Sequence, residues 1–322
     1  MSTSNQLRVV FMGTPEFAVP TLKKVAEHFD IVAVYSQPDR PVGRGLEMKP
    51  TPVKQAALAL GLNVFQPEKL SVSSEVEKLA AFEPDFIVVV AYGHILKQNV
   101  LDIPKVACVN VHSSLLPRWR GAAPIHHALL AGDQETGVTT MKMVLALDAG
   151  DVYLQAKTPI AEREILPELH DRLALMGADL IVPTLQGLAS GELKGEPQDE
   201  SLVTIAPKLT KDMEVIHGTE TVREIDLRIR ALQPWPGVSV FFELPNGKVE
   251  RLKIKGATPR PDWKKKPAFL DESAGTLVIG LSDGCLELNR VQPEGKKEMD
   301  AASFLNGLKG RSLNLPLALK KS

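Results

Sequence analysis

Short apolar runs alternate with amphipathic stretches through the first half of the chain. Residues 7–12 form an apolar run of strand length, and Gly13-Thr14-Pro15 turns it into a helical stretch at about 16–29. Residues 31–35 read as the next strand, 58–62 close a second helix, and 85–90 and 106–111 read as two further strands. Strands alternating with helices predict a mostly parallel α/β sheet of Rossmann-like type, with helices on both faces. Residues 138–144 alternate as one more strand. Leu166, Leu169, Leu173, Met176 and Leu180 then recur at helical spacing, so their stripe is expected to face a core, and Pro183 to end or kink the helix.

The pattern changes after that helix. A Gly- and acid-rich stretch follows, and residues 189–208 read as a linker between a first domain at 1–188 and a second at 209–322. A helical segment at 222–232 ends at Pro234-Trp235-Pro236-Gly237. Short runs follow at 238–243, 249–254, 276–280 and 285–291, punctuated by Asn246-Gly247 and Asp283-Gly284. Asn-Gly and Asp-Gly between alternating runs signal hairpins. One helix with several short strands predicts a small OB-like β-barrel.

Composition narrows the class. A chain of 322 residues with 44% hydrophobic content suits two domains with sizeable cores. It has no continuous apolar run of about 18 residues, so no membrane span is expected. The polar N-terminus lacks the shape of a signal peptide, and Cys108 and Cys285 suggest reduced core thiols; the expected location is cytoplasmic. The first strand–helix turn carries one glycine rather than G-x-G-x-x-G, and no G-x-x-x-x-G-K-[ST] occurs. Neither a nicotinamide dinucleotide site nor a P-loop is supported.

The net charge of −1 hides an asymmetry. Residues 1–208 carry 19 basic and 24 acidic side chains, and residues 209–322 carry 19 basic and 15 acidic. Residues 248–266 alone hold eight basic and two acidic side chains. A basic block on an otherwise acidic chain suits a polyanionic partner; the plain alternative is a solvated lysine-rich face.

The candidate chemistry gathers at residues 106–121, VACVNVHSSLLPRWRG. Alternation there puts Asn110 and His112 on one face of a strand, where each needs a partner if buried. Leaving the strand, Arg118-Trp119-Arg120-Gly121 precedes a helical stretch at 122–130, a loop position where open α/β sheets bind ligands. Asp148, in Leu147-Asp148-Ala149-Gly150-Asp151, lies 36 residues beyond His112, so only the fold can join them. A carboxylate beside an imidazole orients it and favours its protonated form. Core polar residues and an acidic turn are the plain alternatives. His126 and His127 are neighbours on a helix, so they point apart and make a poor metal pair.

These stretches resemble the folate-dependent formyltransferases. The resemblance rests on N-x-H at 110–112, on Ser114-Leu115-Leu116-Pro117-Arg118-Trp119-Arg120-Gly121 and on L-D-x-G-D at 147–151. It continues through Phe11-Met12-Gly13-Thr14-Pro15, Gln37-Pro38-Asp39-Arg40-Pro41, Val89-Val90-Ala91-Tyr92-Gly93, the P-W-P-G at 234–237 and Gln292-Pro293-Glu294-Gly295. It implies 10-formyltetrahydrofolate as formyl donor, bound by Val90, Tyr92, Gly93, Ile95 and residues Ser114, Leu115, Leu116 and Pro117, and needs no metal. It also implies that Asn110, His112 and Asp148 are catalytic. The acceptor would be the free amino group of methionyl-initiator tRNA, and the protein a monomer. The long loop at 37–52 would approach the tRNA end through Arg40, Arg44 and Lys49, although Leu46 and Glu47 stand where the family carries lysines. Lys253, Lys255, Lys264, Lys265 and Lys266 would meet the tRNA backbone. Two rivals are a formyltransferase or hydrolase acting on a small-molecule amine, and an inactive nucleic-acid-binding protein.

Overall fold

The computed structural model describes residues 6–42, 47–311, 313 and 315–320. The chain divides into two units. One takes in the residues up to Pro124, Gln134–Ile160 and Glu168–Ala206; the other takes in Ile125–Asp133, Ala161–Pro167 and the residues from Pro207 on.

The first unit is built on a seven-stranded sheet. Its strands are Arg8–Gly13 (β1), Asp30–Tyr35 (β2), Val64–Phe65 (β3), Phe86–Val90 (β4), Ala107–His112 (β5), Glu135–Lys142 (β6) and Val152–Pro159 (β7). The order across the sheet is β7-β6-β5-β4-β1-β2-β3. Strands β5-β4-β1-β2-β3 run parallel, and β6 pairs antiparallel with both of its neighbours, β5 and β7. β4 reads FIVVV and is buried at all five positions, as a strand covered on both faces must be. Strand β7 escaped the pattern reading because its apolar residues Val152, Tyr153 and Leu154 fall in one run rather than alternating, and Thr158 is its one buried position.

Helices cover both faces. Val10, Met12, Ile87, Val89 and Cys108 pack into one cluster with Leu79 of helix Ser73–Ala80 and Val100 of helix Gln98–Leu101. The other face carries the long helix Leu166–Ser190, tied to β6 where the Thr140 and Thr184 hydroxyls meet at 2.8 Å. By length and apolar content this helix could cross a bilayer, but Leu169, Leu173, Ile181 and Leu185 are fully buried within the protein. Pro183 does not end it. Both Pro183 and Asp179, whose carbonyl loses its helical donor, are exposed, so water can serve that carbonyl.

The stretch expected to be a linker has structure of its own. Val152 and Glu196 exchange backbone hydrogen bonds at 2.8 Å, and Ile205–Ala206 pairs in parallel with Arg120–Gly121. Its Gly- and acid-rich composition reflects surface exposure, while backbone pairing keeps it on the first unit as far as Ala206.

The second unit contains an almost closed antiparallel barrel. Its strands are Val238–Glu243 (β8), Val249–Arg260 (β9), Phe269–Ser273 (β10), Thr276–Gly280 (β11), Cys285–Pro293 (β12) and Leu317–Ala318 (β13), in the order β8-β9-β12-β11-β10-β13. A bridge between Phe242 and Leu319, with the Lys320 N–H donating to the Phe241 carbonyl at 2.8 Å, joins the two edges. Val238, Val240, Phe242, Leu252 and Ile254 point inward. β9 runs six residues past its expected end because a register irregularity at Gly256 lets pairing with β12 resume. Helix Val222–Ala231 starts at a capping box in which Thr221 and Glu224 each bond the other's backbone N–H, an arrangement of order 1 kcal/mol.

Both cysteines lie on core strands, Cys108 on β5 and Cys285 on β12, and burial pushes both thiols above their usual range. The native protein should therefore react very slowly with a thiol reagent at pH 8. Both thiols should appear once the chain is unfolded in guanidinium, and rapid titration of either in the native state would contradict their placement.

Candidate active site

The strand order reverses beside β1, with β2 and β3 on one side and β4 and β5 on the other. Loops leaving the carboxyl ends of β1 and β4 therefore part in opposite directions and leave a crevice. Hydrogen bonds tie its floor. The Thr14 hydroxyl donates to the Tyr92 carbonyl at 2.8 Å and accepts from the Gln37 N–H at 3.3 Å.

β5 delivers the polar pair. Asn110 lies between Val89 of β4 and Met141 of β6, and His112 lies beside Thr139. Among the described residues the Asn110 side-chain amide has no partner. The His112 ring is 6% exposed, and its Nε2 lies 2.9 Å from the Trp119 carbonyl. A carbonyl can only accept, so Nε2 carries the hydrogen and Nδ1 is left for other work. Nδ1 faces the Asp148 carboxylate, with Oδ2 at 3.7 Å.

Asp148 arrives on a loop that doubles back. β6 leaves the sheet at Lys142, level with Val109, and the chain returns so that Asp148 Oδ2 accepts the Gly121 N–H at 2.8 Å. Two glycines permit this. A Cβ on Gly150 would meet the Lys142 carbonyl oxygen at 1.9 Å; one on Gly121, where φ is +125°, would meet the Ala206 oxygen at 2.6 Å. Asp148 itself is left-handed, with φ at 49°, a conformation Asp tolerates better than most residues. Strand β5, the 118–121 turn and the 143–151 loop thus bring Asn110, His112 and Asp148 to one end of the sheet.

The other expected site residues divide by exposure. Val90 and Tyr92 are buried; burial pushes the Tyr92 phenol up to about 12, and its hydroxyl has no partner among the described residues. Gly93 is exposed, and Ile95 is 89% exposed. Ser114 is fully buried and donates its hydroxyl to the Arg118 carbonyl at 2.6 Å. Leu116 is buried, Leu115 and Pro117 are half-buried, and the Leu116 backbone is stitched to Thr139 and Gln155. What this segment presents to a ligand is therefore mainly its shape.

The expected basic contacts also divide. Arg44 lies outside the described residues. Arg40 is exposed and 3.5 Å from Glu68, and Lys49 is exposed. Lys253 and Lys255 lie two apart on β9, without a carboxylate partner among the described residues. Burial, then the nearby Lys255 and Arg251, holds the Lys253 ammonium below the usual lysine range. Lys253 also donates to the Pro234 carbonyl at 3.3 Å, as Lys264 does to the Pro261 and Asp283 carbonyls, whereas Lys265 pairs with Asp271 at 3.2 Å and Lys266 sits 4.3 Å from the centre of the Phe269 ring. His127 lies against the Pro207 carbonyl at 3.1 Å, and no group of three metal-ligating side chains occurs among the described residues.

Pattern reading missed two groups. Val144, Leu145 and Leu147, on the loop that carries Asp148, are 37%, 61% and 67% exposed; the apolar character of Leu145 and Leu147 beyond the expected strand was the available signal, while Val144 falls at the expected strand's end. Gln198 and Arg120 bond to each other and onward to the Asp148 turn, which no spacing in the sequence announces.

Comparison with known proteins agrees with this architecture. A formyl transferase family model matches residues 7–185, and a model of the formyl transferase C-terminal domain matches residues 208–309. A methionyl-tRNA formyltransferase of Halorhodospira halophila is 47% identical over 93% of this chain and 96% of its own length. One from Moorella thermoacetica is 47% identical over 94% and 96%, and one from Listeria monocytogenes 45% identical over 95% and 97%. Among solved structures, the sugar 3N-formyl transferase WlaRD, determined with dTDP and 5-N-formyl-THF, superposes with a TM-score of 0.64 at 16% identity over 91% of this chain and 100% of that one. HypX from Aquifex aeolicus with tetrahydrofolic acid gives 0.61 at 18% identity, over 95% of this chain and 48% of that one. At such identities these two show the shared fold.

Because the Asp148 turn depends on the close approach at Gly150, Gly150→Ala should force the loop off Lys142. The expected cost is about 1–3 kcal/mol in urea unfolding, as for other overpacked sites. Unchanged stability would show that the turn is not clamped there.

Proposed function

The chain belongs to the formyl transferase family, and we propose that it transfers the formyl group of 10-formyltetrahydrofolate to the free amino group of methionyl-initiator tRNA. The observation that carries the reading is the convergence of Asn110, His112 and Asp148 at the carboxyl end of β5, in a chain aligned almost end to end with methionyl-tRNA formyltransferases.

An α-amine has a pKa of about 7.7–8, so a useful fraction is already neutral near pH 7 and can attack the formyl carbon directly. The new C–N bond turns the formyl oxygen into an oxyanion. The Asn110 amide, without another partner among the described residues, serves as a neutral donor to it. His112 serves through Nδ1, since Trp119 occupies Nε2. Asp148 stabilises the imidazolium formed when Nδ1 takes the proton lost by the amine. Collapse of the intermediate breaks the bond to N10 of the folate, and the proton can leave with that nitrogen. Donors aimed at a charge present only in the transition state lower the barrier without tightening ground-state binding. Ile95, Val144, Leu145 and Leu147 supply exposed apolar surface suited to a flat pterin.

In the second unit, three like charges at Arg251, Lys253 and Lys255 crowd one strand, and among the described residues only Arg251 has a carboxylate partner, Glu214 at 2.5 Å. A phosphate backbone would relieve that crowding. Lys265 has a carboxylate and Lys266 a ring as partner, which makes them weaker candidates; Lys264, like Lys253, donates to backbone carbonyls.

Asn110→Ala and His112→Ala should each lower kcat for formyl transfer by about 10²–10³ with little change in binding of the folate donor. Near-normal turnover in either variant would remove it from the mechanism. For the acceptor, Lys253→Ala with Lys255→Ala should flatten the log–log salt dependence of tRNA binding by about 1.4–1.8 units if both touch phosphate. An unchanged slope would make these lysines a solvated face and favour a small-molecule amine as substrate.

A further inference from the structure

We propose that Gln198 is a positioning residue for this reaction: its carboxamide fixes the turn that carries Asp148, and so sets how that carboxylate meets His112. The inference rests on the formyl-transfer reading of the site.

Gln198 comes from the stretch expected to be linker. Both hydrogens of its amide are used on the catalytic turn: Nε2 donates to the Asp148 carbonyl at 2.8 Å and to the Gly150 carbonyl at 2.7 Å. Its Oε1 accepts from Arg120 Nε at 3.0 Å. That contact fixes the amide orientation, because a flipped amide would set donor against donor at Arg120 and acceptor against acceptor at the turn. Arg120 is in turn held by Glu200 in a two-pronged pair at 2.8 and 3.2 Å, with its own side chain 7% exposed. The residue after Arg120 donates its N–H to the Asp148 carboxylate. The bonds close a ring: Arg120 to Gln198, Gln198 to the Asp148 backbone, the Asp148 side chain to Gly121, and Gly121 to Arg120 along the chain.

The turn has reason to need such a ring. Met143 packs against the core at the start of the loop, but beyond it Val144, Leu145 and Leu147 contribute exposed apolar surface, so packing does little to hold the part that carries Asp148. Asp148 also sits in a sparsely populated backbone conformation, which persists only when neighbours over-determine it. At 3.7 Å, Asp148 Oδ2 is just outside hydrogen-bond distance of Nδ1. A small drift of the turn would remove the partner of the imidazolium without touching His112, Asn110 or the apolar walls.

The test is a double-mutant cycle in the full-length protein, read as formyl transfer to charged initiator tRNA. Gln198→Ala should lower kcat roughly ten- to a hundredfold, leave KM for the formyl donor within about twofold and lower the urea midpoint while the chain still unfolds in one cooperative transition. Asp148→Asn should cost about a hundredfold in the wild-type background but less than about tenfold on top of Gln198→Ala, because the turn is already misplaced. If Gln198→Ala folds poorly, Gln198→Met, of similar length but without the amide, is read in its place and should give the same kcat loss. A Gln198 variant with wild-type kcat, or a pair of losses that simply multiply, would overturn the positioning role while leaving the site intact. Full activity in Asp148→Asn alone would overturn the reading of the site itself, and this inference with it.

Discussion

At the carboxyl end of β5, an imidazole nitrogen and a carboxylate face each other. The Trp119 carbonyl accepts from His112 Nε2, so Nδ1 is the nitrogen turned to the Asp148 carboxylate at 3.7 Å. While Nδ1 is unprotonated the two are both acceptors, and a proton brought to Nδ1 makes them an ion pair. That is the change required of a group that collects a proton from an attacking amine. Much of the surrounding backbone is arranged to hold those two acceptors in place.

The arrangement is made of main-chain hydrogen bonds more than of packing. The Arg120 N–H donates to the Thr204 carbonyl, the Ala122 N–H to the Ala206 carbonyl, and the Trp119 N–H to the Thr204 hydroxyl. The turn that supplies the His112 acceptor is therefore braced by a stretch of chain more than eighty residues away. That stretch also carries Gln198, so one segment supports both the imidazole and the carboxylate. Exposed loops that lack a buried apolar anchor need such support if they are to hold reacting groups within a fraction of an ångström.

In the second unit the basic residues are sorted by the company they keep. Lysines that looked equivalent as a charge block differ once folded: Lys265 has a carboxylate and Lys266 a ring, Lys253 and Lys264 donate to backbone carbonyls, and Lys253 and Lys255 share a strand with Arg251. Charge counting along the chain sees a patch. Which charges remain available to an outside anion depends on their partners in space.

Much of the architecture was legible from periodicity. β4 is one unbroken apolar run, the 166–190 helix shows its stripe, and Asn-Gly and Asp-Gly mark the barrel hairpins, because side-chain burial in strands and helices repeats with a local period. Asn110 and His112 were legible as a pair for the same reason, being two apart on one strand. Their assignment to chemistry, and the choice of Asp148, came from resemblance to a family, since local patterning cannot connect residues 36 apart. The strands at 152–159 and 269–273, the bracing role of the supposed linker and the Gln198–Arg120 ring lay beyond sequence reading. They arise from backbone groups and amides that find partners across long chain separations, and no local period records such a choice. Whether Pro183 broke its helix was likewise settled in three dimensions, because the cost of a missing N–H depends on whether the orphaned carbonyl faces water or a core.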